Sequence, residues 1–210
     1  MKIAVINEIS TADRNPDIIK ALDGFDHEVL NVGMKCVGEP QLSAMQTGFL
    51  AALFLNAKKV DLVVGGCGTG AGFMIAVMLY PNVFCGVITS PLDAWLFRQI
   101  NGGNCLSLVL NKGYGWGSDQ NLKFIFEKFF SVESGNGYPD HRKVPQREAR
   151  LLQEKFSQDF HIPMAEIIGK LDDSFIVPAL NYPDVLKKLD IDDIDDYVLK
   201  KALIARVQVV

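Results

Sequence analysis

The chain has 210 residues, 49% of them hydrophobic and 22% charged, with a formal net charge of −4. That composition excludes extended disorder, and the acidic balance excludes a broad basic surface for nucleic acid or anionic membrane. The longest apolar stretch, GFLAALFLNA, falls short of the roughly 20 residues a bilayer span needs.

The first residues, MKIAVINEIS, read as a strand that Asn7 and Glu8 interrupt too early for a signal peptide. Cytoplasm is therefore the expected location. KIAVI, HEVLNV, DLVVG, VFCGVI and CLSLVL each read as a strand: short, apolar or β-branched, and bounded by turn residues. DLVVG and VFCGVI are apolar on both faces, the mark of a buried parallel sheet. Helices are expected from Asn15-Pro16, where proline suits a first helical position, and over 41–57, 70–79, 92–100 and 118–130. Successive βα units of this kind give a doubly wound, parallel, five-stranded sheet, a three-layer Rossmann-like α/β fold.

After Phe130 the pattern changes. SVESGNGYPDHRKVPQR is a polar connection, expected to be extended at Val144-Pro145 because proline biases its predecessor away from helix. From about 146 the pattern is helical to the end, and LDIDDIDDY is expected to cap and start the last helix. Residues 1–144 thus form the α/β domain, and 145–210 a helical C-terminal extension of that same domain.

Four cysteines are scattered without a C-x-x-C pair, and the three histidines stand outside ligand spacing, so neither a disulfide framework nor a metal site is expected. Cys85 and Cys105 lie in apolar runs and read as core thiols. Cys67 differs. It sits in GGCGTGAG, residues Gly65–Gly72, directly after the third strand, where ligands of doubly wound sheets bind. Consecutive glycines let N–H groups converge on an anionic oxygen, and the following helix adds its positive end. The same field favours a thiolate at Cys67. A plainer reading is a tight turn in which Cys67 is a bystander.

Phe73 stands where a P-loop needs lysine and where a cysteine phosphatase loop needs arginine. Gly66-x-Gly68-x-x-Ala71 fits a dinucleotide fingerprint, but the next strand ends Ile88-Thr89-Ser90 without the acid that holds a ribose. A thiolate beside an oxyanion site suits proton abstraction next to a carbonyl, with Thr69 adding a hydroxyl. Two other classes stay open: a non-catalytic, flavodoxin-like module binding an anion or nucleotide, and a dinucleotide-dependent oxidoreductase. Lys112, Tyr114 and Trp116, at the carboxyl end of the fifth strand, are further candidates for the pocket. The fourth-helix aromatics Trp95 and Phe97 read as core.

GGCGTGAG, SPLDAWLFRQINGGN (90–104) and HRKVPQR (141–147) resemble the family of type B ribose-5-phosphate isomerases and galactose-6-phosphate isomerase subunits over about residues 1–147. The resemblance implies aldose–ketose isomerisation through a cis-enediol, without cofactor, in a homodimer or higher even oligomer whose sites lie between subunits. It makes Cys67 the base and Thr69, Gly68, Gly70 and Gly72 the oxyanion site. Asn101 and Asn104 match two family asparagines, and Asn7-Glu8, candidate substrate contacts, replaces the family's Asp-His after the first strand, Glu8 being either a sugar-hydroxyl ligand or a solvated loop residue. His141, Arg142 and Arg147 match the anion-holding segment loosely. Ile100 stands where ribose isomerases carry a ring-opening histidine. A longer branch of the family, of about this length, resembles the chain better, and some of its members isomerise 4-deoxy-5-hexosulose uronate, an open-chain acid.

Overall fold

Strands apolar on both sides must be covered on both sides. In the computed structural model, which describes residues 1–207, β3 (Leu62–Cys67) is buried at every residue and β1 (Lys2–Asn7) at all but its first. With β2 (Glu28–Asn31), β4 (Cys85–Ile88) and β5 (Cys105–Val109) they form one five-stranded sheet in the order β2-β1-β3-β5-β4. Every pairing is parallel.

Helices α1 (Asn15–Leu22), α4 (Pro91–Leu96) and α5 (Ser118–Phe130) pack on one face, burying Ile18, Ala94, Leu122 and Phe126 against Ile3, Val5 and Leu106. Helices α2 (Ala44–Asn56) and α3 (Ala71–Val77) pack on the other, burying Phe49, Phe54 and Phe73 against Ala4, Ile6 and Val63. β2 and β3 flank β1 on opposite sides, so the strand order reverses at β1. That switch opens a crevice at the carboxyl ends of β1 and β3. Register sets Asn7 beside Gly66 and Cys67 beside Val109.

The chain then continues as α6 (Lys143–Phe160), α7 (Met164–Lys170), α8 (Asp173–Leu180), α9 (Val185–Leu189) and α10 (Tyr197–Val207). Met164, Ile168, Ile176, Val185, Leu199 and Leu203 of α7–α10 join the same apolar cluster as α2 and α3. α6 is different: Ser157 is its one buried residue. Asp196 accepts the N–H groups of Val198 and Leu199 at 2.9 and 3.0 Å, so the acidic run does cap the last helix.

Two local expectations need correction. Val144-Pro145 is not extended but lies in the first turn of α6. The opening N–H groups of a helix have no intrahelical acceptor, so proline there removes no hydrogen bond. The fourth helix changes character midway, α4 giving way to a π turn, Phe97–Asn101, that ends at Gly102 with φ 58°. No helix among the described residues is long and apolar enough to cross a membrane.

Candidate active site at the glycine loop

β3 ends in Gly65-Gly66-Cys67, and packing explains its lack of side chains. A Cβ on Gly65 would lie 2.2 Å from the ring of Phe73, which α3 presses onto the sheet. Gly70 caps α3 at φ 74°, a left-handed conformation that L side chains avoid. The loop is held by its carbonyls. Cys67 C=O accepts Gly70 N–H at 3.2 Å and Leu110 N–H at 3.1 Å, and Gly68 C=O accepts Asn111 and Lys112 N–H, both at 3.0 Å. The Ser107 hydroxyl donates to Gly70 C=O at 2.6 Å. By contrast, the N–H groups of Gly68, Thr69, Ala71 and Gly72 meet no backbone acceptor among the described residues. Fixed carbonyls and free N–H groups make a cradle for negative charge.

The Cys67 thiol sits within that cradle. It is 8% exposed, its Sγ is 3.9 Å from Thr69 Oγ1, and a Cβ on Gly72 would come within 3.5 Å of it. The missing Gly72 side chain thus keeps one side of the sulfur clear. Cys105, by contrast, is fully buried, and burial together with the neighbouring Cys85 pushes its thiol pKa well up. Cys85 is only half-buried.

At the end of β1, Glu8 is buried and accepts Ser10 N–H at 2.9 Å as well as the Ser10 hydroxyl, capping a short 3-10 turn, Ile9–Arg14. Asn7 is fully buried. Its amide donates to Thr11 C=O at 3.1 Å and its Oδ1 accepts from Asn15 at 2.9 Å. A cavity of about 460 Å³ opens at the carboxyl ends of β3, β4 and β5, lined by Thr69, Thr89, Lys112, Tyr114, Ser118 and Asn121 among others. Tyr114 donates to Asp17 at 2.6 Å with the Arg14 guanidinium 4.5 Å over its ring. Burial and that carboxylate push the phenol above its usual range. Trp116 is wholly exposed and lines none of this cavity.

The remaining candidates are elsewhere. Asn101 ends the π turn ahead of β5, at the end of the sheet opposite Cys67. Asn104 clips β4, donating to Asn82 C=O and accepting Phe84 N–H, both at 2.8 Å. His141, Arg142 and Arg147 are exposed, on a 3-10 turn and the start of α6. One protomer therefore brings together Cys67, Gly68, Thr69 and Gly72; Gly70, expected in the oxyanion site, donates its N–H to Cys67 C=O and caps α3 instead, and Asn101 and the basic segment lie apart from them.

A family model described as Ribose/Galactose Isomerase matches residues 3–146. The chain belongs to that family. No curated protein matches it. Among solved structures it is similar to a 4-deoxy-L-threo-5-hexosulose-uronate ketol-isomerase complexed with a tartrate, at 35% identity and TM-score 0.93 over 99% of this chain and 100% of that one. It is also similar to a ribose-5-phosphate isomerase from Vibrio parahaemolyticus, at 34% identity and TM-score 0.89 over 96% and 99%. A ribose 5-phosphate isomerase from Thermotoga maritima, at 22% identity and TM-score 0.56 over 70% of this chain and 97% of that one, shares the fold.

The sugar isomerase thus has two parts: a sheet domain the family model covers, and the helices after residue 146, which the two longer relatives match and the model does not. Residues no motif pointed to surround Asn101. Arg150 of α6 donates to Ile100 C=O at 2.9 Å and Gly135 C=O at 2.6 Å, bracing the π turn that ends at Asn101. Gln153 and His161 share a cavity with Asn101. Their distance along the chain left no local pattern to read.

Proposed function

We propose that the enzyme is an aldose–ketose isomerase acting on a sugar phosphate or sugar acid, with Cys67 as its base. The observation that carries this is the thiol set among four N–H groups without acceptors. The thiolate takes the proton from the carbon beside the carbonyl. The N–H groups, with the Thr69 hydroxyl, hold the enediolate oxygen, and the proton returns to the adjacent carbon. Base and electrophile both come from the chain, so the step needs no metal or organic cofactor. Lys112, in the cavity that begins at Thr69, suits the substrate's carboxylate or phosphate as a point charge. The tartrate on the 35% identical relative is an open-chain hydroxy acid, which favours a sugar acid, and 4-deoxy-5-hexosulose uronate in particular.

The working unit is a dimer. α3 starts beside Cys67 and ends at the cavity of Asn101, through Met78. Its outer face is apolar and open, with Ile75 61%, Met78 46% and Leu79 55% exposed. A two-fold axis crossing that face exchanges the two ends of α3, setting Asn101 of each copy toward the other's Cys67. The described part of the extension, residues 145–207, belongs to the same domain, since α7–α10 share the cluster of α2 and α3. Four free cysteines fit the reducing cytoplasm.

The test is proton NMR in D2O with ribose 5-phosphate, erythrose 4-phosphate, glucuronate and 4-deoxy-5-hexosulose uronate. At least one should isomerise with deuterium entering beside the carbonyl, and Cys67→Ser should stop it. Absence of exchange with all four refutes the reading.

A further inference from the structure

Asn101 lines a cavity of about 300 Å³ between the start of β4, the π turn and α6. Gln153, Phe156, Phe160 and His161 of the extension form its far wall. No lysine, arginine, aspartate or glutamate lines it. The Ser157 hydroxyl is engaged, accepting Asn82 N–H at 2.8 Å. His161 is half-buried at the C-terminal cap of α6, its Nδ1 3.0 Å from Ser157 C=O. A carbonyl can only accept, so Nδ1 bears the proton of the neutral ring. Nε2 therefore keeps its lone pair, on a ring that faces a sugar-sized, uncharged cavity. Ile100, one residue before Asn101, has nothing to offer a sugar oxygen.

We infer that His161 is the ring-opening acid–base residue of this isomerase, supplied by the extension in place of a histidine at position 100. The inference rests on the reading that Asn101 of one copy meets Cys67 of the other, because the cavity of Asn101 then opens onto that shared site. Nε2 removes the proton of the anomeric hydroxyl while the bond from the anomeric carbon to the ring oxygen breaks. The carbonyl forms at that carbon, the bonding pair goes to the ring oxygen, and the imidazolium returns the proton there. No electron leaves the sugar. Gln153 and Asn101 are placed to hold neighbouring hydroxyls, and the Phe156 and Phe160 rings to meet the sugar's C–H face. Ring-forming aldoses thus become substrates, which Ile100 alone argues against.

The test compares His161→Gln with wild type on a ring-forming substrate, ribose 5-phosphate or glucuronate, and on one that stays open, erythrose 4-phosphate or 4-deoxy-5-hexosulose uronate. On the ring-forming sugar kcat should fall about 10²-fold or more, while on the open one kcat and KM stay within about threefold. A capping role alone would lower both together, and that result overturns the proposal. A second readout does not depend on Cys67. The Cys67→Ser protein should still speed interconversion of the ring-forming sugar's anomers, followed by NMR, and Cys67→Ser with His161→Gln should not. Wild-type turnover confined to open-chain sugars overturns the role of His161 and leaves that of Cys67 standing. Absence of turnover on all four sugars removes both.

Discussion

The two ends of the sheet are built on opposite plans. At the carboxyl end, the site around Cys67 is made of backbone: glycines, fixed carbonyls and free N–H groups, with one thiol and one hydroxyl. At the amino end, the cavity around Asn101 is made of side chains from three segments, the start of β4, the π turn and the extension about fifty residues on (Asn101 against Gln153 and His161). A backbone site is rigid because sheet and helix ladders hold it. A side-chain site is adjustable and takes its shape from whatever packs across it. On the proposed reading, the proton transfer belongs at the first, and substrate choice at the second.

The largest expected effect sharpens this division. Cys67→Ser should lower turnover about 10³-fold or more, since a serine hydroxyl is a far weaker base near neutral pH, with a melting temperature close to wild type. Iodoacetamide should label Cys67 ahead of Cys105, whose thiol is fully buried and held protonated. Turnover within about tenfold of wild type would remove Cys67 as base.

Gly65→Ala attacks the backbone plan itself. Its Cβ would meet the Phe73 ring at 2.2 Å, and overpacking of this kind costs about 1–3 kcal/mol. Thermal unfolding should show a drop of several degrees, whereas an unchanged midpoint would mean the loop is less tightly packed than described.

Arg150→Ala tests the other plan. Losing its bonds to Ile100 C=O and Gly135 C=O should cost about 1–2 kcal/mol and loosen Asn101, raising KM more than it lowers kcat. Steady-state kinetics that show an equal fall in kcat and kcat/KM would place Arg150 nearer the chemistry. Arg142→Ala and Arg147→Ala should raise KM severalfold if either guanidinium reaches the partner copy's anion. Wild-type KM in both variants leaves Lys112 as the anion's holder.

The smallest effect is on stability at high pH. Burial, and then Asp17, raise the Tyr114 phenol, so the folded chain keeps a proton that the unfolded chain releases at about pH 10. That contribution is complete below pH 10 and declines as pH rises above it. Denaturant midpoints between pH 9 and 11 should fall for wild type and fall less steeply for Tyr114→Phe.

The carboxyl end was legible in the sequence for the same reason that it is rigid. Five short apolar runs marked the five strands, and Gly65–Gly72 after the third stood out as a backbone site, with a tight turn as the plainer reading. Val144-Pro145 departs from its expected extended form, because proline's effect on its predecessor is weaker than helix propagation through a first turn. The amino-end cavity was not legible. Gln153 lies on a helix with one buried residue and His161 caps its end, so nothing in the helix pattern marks which side chains border Asn101. Asn104 shows the converse, matching a motif while its amide serves internal bonds.

The claim that joins the two ends is that a second copy brings them together, and one mixing experiment tests it. Cys67→Ser and Asn101→Ala proteins, each expected to be inactive alone, are unfolded together, refolded and assayed. Random pairing puts half the molecules in mixed dimers, each with one intact site and one doubly altered site. Activity should return to about a quarter of wild type, by that two-fold counting. A mixture as inactive as its parents, with mixed dimers shown by native mass spectrometry, would contradict a site shared between copies.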